Sequence, residues 1–210
     1  MVKATTGKKA VTRRRKKEQK DELRSLILRT AGNLFVELGY NGFSMRKLAE
    51  LIGYSPATLY LYFRDKDHLL FLVVDDAFSR FKKQLEHAAE SSDAAWERLG
   101  RLGEAYVRFG LENPAYYQLM FMWRIDYLTE VRDGKEIPRV QAFEVLLHTV
   151  RDAIEQGALQ ASVPETTSDM LWAMMHGIVS LSIQMPMFDK ERTDKLIQHA
   201  MEMIYRALHV

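Results

Sequence analysis

A chain of 210 residues can hold one domain or two small ones, and its 47% hydrophobic and 28% charged residues are the balance of a soluble globular protein rather than a disordered one. There is no cysteine, which excludes disulfides, thiolate chemistry and cysteine–zinc sites and fits a reducing, cytoplasmic location. The net charge of +2 is unevenly spread: nine Lys and Arg against Glu18 alone give the first twenty residues +8 and leave −6 on the rest.

Residues 1–20 are therefore expected as a basic, disordered arm, which either follows DNA phosphates and a minor groove or only keeps the chain in solution. No apolar run follows this basic stretch, so no secretory signal is expected. Next comes a helix in which Leu23, Leu26, Ile27, Ala31, Leu34, Phe35 and Leu38 recur at three and four, closed by Gly39. Residues 44–66 then read as two short helices around a tight turn. Ser44 caps the first, whose inner side is Leu48, Ala49 and Ile52, and Gly53 supplies the turn. Ser55 caps the second with Pro56 at its first position, where a missing N–H costs nothing. Leu59 and Phe63 point inward, leaving Ala57, Thr58, Leu61 and Tyr62 outward, a mixture of small, hydroxyl and aromatic groups suited to base edges and phosphates.

Asp65 is expected to cap a long helix over 66–90 carrying Leu69, Leu70, Val73, Ala77, Phe78, Phe81 and Leu85. Helices follow over 93–112 and from Pro114, with a charged loop at 129–136. Pro138 opens a helix with Phe143, Leu146, Leu147, Val150, Ala153 and Ile154 on one face, ending at Gly157. The last two helices are placed at 168–185 and 190–208, with no credible strand anywhere. The most apolar stretch, 170–185, is shorter than the ~20 residues of a membrane span and contains His176. No membrane partner is expected.

The stretch from Asp21 to Leu70 resembles the DNA-binding domain of the TetR family of transcription regulators. The likeness is carried by Ile27-Leu28, Ala31, Leu34-Phe35, Gly39-Tyr40, Ser44, Leu48-Ala49, Gly53, Ser55, Thr58-Leu59-Tyr60, Tyr62-Phe63, Lys66 and Leu69 at fixed spacing. Farther on, Asn113-Pro114-x-Tyr116-Tyr117-x-Leu119-Met120-Phe121 and Trp172-x-x-x-His176-Gly177 resemble a C-terminal domain found in part of that family. The resemblance implies an all-α fold: a three-helix helix-turn-helix domain at 21–68 and a helical ligand-binding and dimerisation domain at 69–210. It also implies that Ser44, Tyr60 and Lys66 contact phosphates and that Arg46 reaches a base edge or a phosphate. Thr58 and Tyr62 would enter the major groove with Pro56, Ala57 and Leu61 in apolar contact, while Tyr60 and Tyr62 have packing of the small domain as their other reading.

One short helix reads few base pairs, so a homodimer on a palindromic double-stranded DNA operator is expected. Its interface is placed on Ile178 and Leu181 and on the apolar side of the last helix, at Ile197, Met201, Ile204 and Leu208. Tyr106, Phe109, Tyr117, Met120, Trp123, Trp172, Met175 and His176, with Tyr116, Met174 and Met185 nearby in sequence, either enclose a pocket for a hydrophobic effector or are plain core. Arg108, Arg124 and His176 are candidate polar anchors, His176 more readily as an interior or interface histidine. Enzyme activity, a metal and a cofactor are not expected: there is no glycine-rich phosphate loop and no HExxH, and His68, His87, His148, His176, His199 and His209 are scattered without ligand spacing. Two functions remain: a ligand-released homodimeric repressor, or a constitutive or architectural DNA-binding protein whose second half only dimerises.

Overall fold

The computed structural model describes the backbone of residues 5–122, 137–161 and 163–209, and the side chains of the same ranges except 5–13 and 16. Among the described residues the regular elements are all helices: α1 (Thr5–Gly42), α2 (Met45–Ile52), α3 (Pro56–Tyr60), α4 (Lys66–Ala89), α5 (Ala95–Glu112), α6 (Pro114–Phe121), α7 (Pro138–Glu155), α8 (Pro164–Gln184) and α9 (Lys190–Leu208). The one extended pairing among them is a bridge between Leu159 and His209. The chain divides into two compact units, Met1–Asp76 and Ala77–Val210, so the division falls within α4 rather than after residue 68.

The first unit corrects one expectation. Residues 5–20, anticipated as a disordered arm, continue α1 without a break. The segment is rich in Lys and Arg, good helix formers, and contains no proline. Glu18 also accepts from Arg14 Nε at 3.0 Å, four residues back on the same face. Helical geometry fails at Gly39 (φ 68, ψ 170), so the short stretch after it changes direction. α1 packs on α2 and α2 on α3. Ile27, Ala31, Phe35, Leu48, Ala49, Leu59 and Leu69 are fully buried, and Phe35 stacks on Phe43 at 3.9 Å between ring centroids.

In the second unit α5, α7 and α8 pack on one another, with α6 against α5 and α9 against α8. α8 begins at Pro164, earlier than the expected 168, because Pro164 is itself a favourable first helical residue. The approach of α5 to α8 requires a glycine: a Cβ on Gly110 would collide with Val179, which is fully buried, and meet the Tyr117 ring at 3.1 Å. The charged loop expected at 129–136 lies outside the described residues. No helix among the described residues is long and apolar enough to cross a membrane.

Candidate nucleic-acid interface and internal cavity

The turn between α2 and α3 is built as the local sequence dictates. Ser44 Oγ accepts from the Lys47 N–H at 3.1 Å, capping α2. At its other end Gly53 takes the left-handed conformation (φ 74) that side chains resist. The Tyr54 N–H then reaches the Ala49 carbonyl at 3.0 Å, closing the helix with a Schellman-type bond. Ser55 Oγ accepts from the Thr58 N–H at 3.2 Å and lies 2.9 Å from the Thr58 hydroxyl, so α3 starts with both groups engaged.

Leu59 and Phe63 are buried beneath α3, as their spacing implies. Outward stand Pro56 and Ala57, with Tyr60 at 54% and Leu61 at 80% exposure. Leu51 and Tyr54 add exposed apolar surface beside them, which the sequence reading passed over. Ser44, Arg46 and Lys47 are exposed at the start of α2, Arg46 sharing its charge with Glu50 at 3.0 Å. Two of the anticipated contacts are tied into the domain. Tyr62 is half-buried, stacked on Phe63 with the Lys20 ammonium 5.8 Å from its ring. Lys66 holds its ammonium 3.9 Å from the centre of the Tyr40 ring, a cation–π contact that partly occupies the charge expected on a phosphate. Asp65 caps α4 by accepting from the His68 N–H at 2.7 Å. That bond, and then the Arg64 guanidinium 2.7 Å away, hold its carboxyl below the usual carboxylate range.

The second unit contains a deep cavity that is partly open to solvent, with Val140, Asp169 and Trp172 exposed at its rim. The cavity, of about 360 Å³, is walled by Phe78, Phe81 and Leu85 of α4, Leu102 and Tyr106 of α5, Phe121 of α6, Arg139, Val140, Ala142, Phe143 and Leu146 of α7, and Asp169 and Trp172 of α8. Of the anticipated pocket residues that are among the described ones, Tyr106 and Trp172 line it. Met175 faces a smaller void of about 50 Å³ instead. Phe109, Tyr117 and Met120 are buried behind the wall, Phe109 against Phe81 at 4.8 Å, because each is on the side of its helix turned toward other helices. Trp123 and Arg124 lie outside the described residues. Arg108 is exposed on a shallow surface groove with Lys83, His87 and Arg101, away from the cavity wall.

Behind Tyr106 runs a closed hydrogen-bond chain. Trp172 Nε1 donates to the Tyr106 hydroxyl at 3.1 Å, Tyr106 and Tyr117 hydroxyls lie 2.9 Å apart, and the Tyr117 hydroxyl is 2.6 Å from His176 Nδ1. An indole can only donate. The chain is satisfied with Tyr106 donating to Tyr117, Tyr117 donating to Nδ1, and the imidazole proton on Nε2. Burial keeps His176 below its usual pKa, consistent with the neutral ring, and pushes Tyr106 up to about 12 and Tyr117 higher still. His176 is thus an interior histidine that orients Tyr117 and does not touch the cavity.

The anticipated dimer face also needs correction. Ile178 is only 4% exposed and so covered within its own chain, while Met201 and Ile204 are half-buried and line the small void against α5. Ile197 and Leu208 are half-buried on the same side as buried Ala200. The apolar side of an amphipathic helix faces the core first, and the sequence reading assigned it to a partner. Among the residues still outward on α8 are Met170, Ala173, Leu181 and Gln184, with Gly177 between them opening onto unfilled space. Their spacing of three and four makes one stripe.

Residues 27–73 match the family model described as bacterial regulatory proteins, tetR family, and residues 99–204 match the tetracyclin repressor-like C-terminal domain. An uncharacterised helix-turn-helix transcriptional regulator of Haemophilus influenzae is 22% identical over 193 residues, which span 91% of this chain and 98% of that protein. FasR of Mycolicibacterium smegmatis, a helix-turn-helix transcriptional activator, is 29% identical over 125 residues, 60% of this chain and 56% of that protein. The solved structure of a Rhodococcus sp. RHA1 protein of unknown function is similar with a TM-score of 0.76 and 25% identity, over 90% of this chain and 96% of that one. With both halves matched and the turn between α2 and α3 built as described, the chain belongs to the TetR family of transcriptional regulators, a family of DNA-binding proteins and not of enzymes.

Proposed function

We propose that this chain is a cytoplasmic homodimeric repressor that leaves a palindromic operator when an apolar small molecule enters the second unit. The cavity of about 360 Å³ carries the ligand part of this reading: a block that only dimerised would gain stability by filling it. On DNA, Pro56, Ala57, Thr58, Leu61 and Tyr62 face bases or sugars, and Ser44, Arg46, Tyr60 and Lys66 face phosphates. The stripe Met170–Ala173–Gly177–Leu181 supports pairing of α8 with its copy, since small residues let two helices approach closely. A ligand that binds one spacing of the two recognition helices better than the other lowers DNA affinity by that difference, and α4 belongs to both units and is the covalent route for the change.

The experiment is selection of bound duplexes from a random pool at low and near-physiological salt, followed by reporter expression from the recovered site. A palindrome that survives the higher salt, and a reporter that falls when the protein is made, are expected. Enrichment of nothing, or a reporter that rises, would overturn sequence-specific repression. Tyr60→Ala should weaken every site alike, whereas Thr58→Ala or Leu61→Ala should change which site is preferred.

A further inference from the structure

The cavity of about 360 Å³ and the void of about 50 Å³ are neighbours, because Leu102, Tyr106, Leu146 and Trp172 line both. These four side chains form a partition. Its one direct hydrogen bond is that from the Trp172 indole to the Tyr106 hydroxyl. The two partners are not held equally. Tyr106 is 6% exposed and fixed from behind by Tyr117 and His176, while Trp172 is 38% exposed. Trp172 is the more exposed half, with its ring against Phe143 and His176.

Beyond it the small void ends against Met175 and Met201, laid over Gly100 and Gly103. A Cβ at Gly103 would sit 3.7 Å from Met175 Sδ and 3.9 Å from Met201 Sδ, so the glycine leaves room that the two thioethers only partly use. Methionine re-packs readily around a guest. The larger wall also carries two charged side chains, Arg139 of α7 and Asp169, one helical turn before Trp172 on α8.

We propose that the two voids are one two-chamber site for an elongated ligand: a polar head beside Arg139 and Asp169, and an unbranched apolar chain whose end passes Trp172 and lies against Met175 and Met201. This rests on the reading of the larger cavity as the effector site. A ring does not fit a chamber of about 50 Å³, and a methylene chain does. Displacing the indole gives up one neutral hydrogen bond, about a tenfold loss, together with its ring contacts on Phe143 and His176. Each methylene taken from water strengthens binding roughly fourfold, so a few of them outweigh that loss.

The test measures binding of straight-chain fatty acids and matched primary alcohols of increasing length to the full-length protein. Gly103→Leu fills the inner chamber from α5, Met201→Phe fills it from α9 should the first variant fail to fold, and Val140→Trp obstructs the outer cavity at an exposed position. The wild-type affinity is expected to keep rising with length beyond the point where both inner-chamber variants level off, with short chains binding all three proteins alike. Short chains that are blocked by Val140→Trp, together with inner-chamber variants that follow the wild type through the whole series, would overturn the two-chamber site and leave the effector cavity standing. A wild type that binds no chain of any length would overturn both.

Discussion

The two units of this chain solve opposite problems with the same kind of residue. In the first, Phe35 lies flat on Phe43 at 3.9 Å and the core is filled, while the groups able to recognise a partner (Tyr60 and Leu61 above all) stand outside it. In the second, Phe78 and Phe81 are also turned inward, yet with Phe121 and Phe143 they line a partly open cavity of about 360 Å³. A short helix offered to a rigid duplex needs a firm floor, and a site for a small molecule needs an interior that the chain itself does not fill. Packing density thus divides the labour between the units.

The largest expected effect sharpens that contrast. Phe35→Ala should cost about 3–5 kcal/mol in chemical unfolding, as truncation in a filled core does. Phe143→Ala on the cavity wall should cost under about 2 kcal/mol, because part of its surroundings is already empty, and should alter the binding of apolar probes. Equal costs would mean that the second unit closes around its cavity in solution. Gly110→Ala comes next, at about 1–3 kcal/mol measured by thermal unfolding, since the methyl group has no room beside Val179. A neutral result there would show α5 and α8 farther apart than described. In the first unit Gly53→Ala should cost about 1–2 kcal/mol through backbone conformation alone, its Cβ meeting nothing within 4 Å. Ser55→Ala should cost about 1 kcal/mol and also release Thr58, seen as weaker operator binding.

The smallest effect is on pH dependence. His176 has a folded pKa below its unfolded value of 6.5, so the unfolded chain takes up the proton first as pH falls. The stability it contributes is complete above that pH and is lost below it. Compared with His176→Gln, the wild type should lose stability more steeply on acidification below pH 6.5. Parallel curves would remove the buried neutral histidine. At the alkaline end Tyr106 acts in the other direction: its pKa, raised to about 12 from 10.0, means stability is lost as pH climbs through that interval.

Much of the first unit is legible in the sequence because its determinants are local. Ser44, Gly53, Ser55 and Asp65 each act on a backbone group within five residues, and their caps and turn are where the spacing puts them. The basic segment ahead of residue 20 misleads, since high charge reads as disorder even where Lys and Arg, the residues that carry it, favour helix. The second unit is legible as helices and not as a site. Phe78, Phe81, Leu85, Phe143 and Leu146 show as apolar faces of α4 and α7, and nothing in either face says whether the space between them is filled. That depends on side chains separated by sixty residues and more. Periodicity also identifies a helix's apolar side without saying what covers it: Met201 and Ile204, read as facing a partner, line a small void against α5.

The chain's three tryptophans, Trp96, Trp123 and Trp172, all fall after Asp76, so the DNA-binding unit contains none. Indole emission therefore watches the second unit alone, while far-ultraviolet circular dichroism sees the helices of both. Two melting curves recorded on one unlabelled sample would separate the unfolding of the two units. Trp172, on the wall of both voids and hydrogen-bonded to Tyr106, would also change colour and brightness as a guest arrives. An apolar guest in this cavity could be followed through the protein's own indole emission, with Trp123 and Trp96, the latter packed on Tyr205 and His209, as further indoles in the signal.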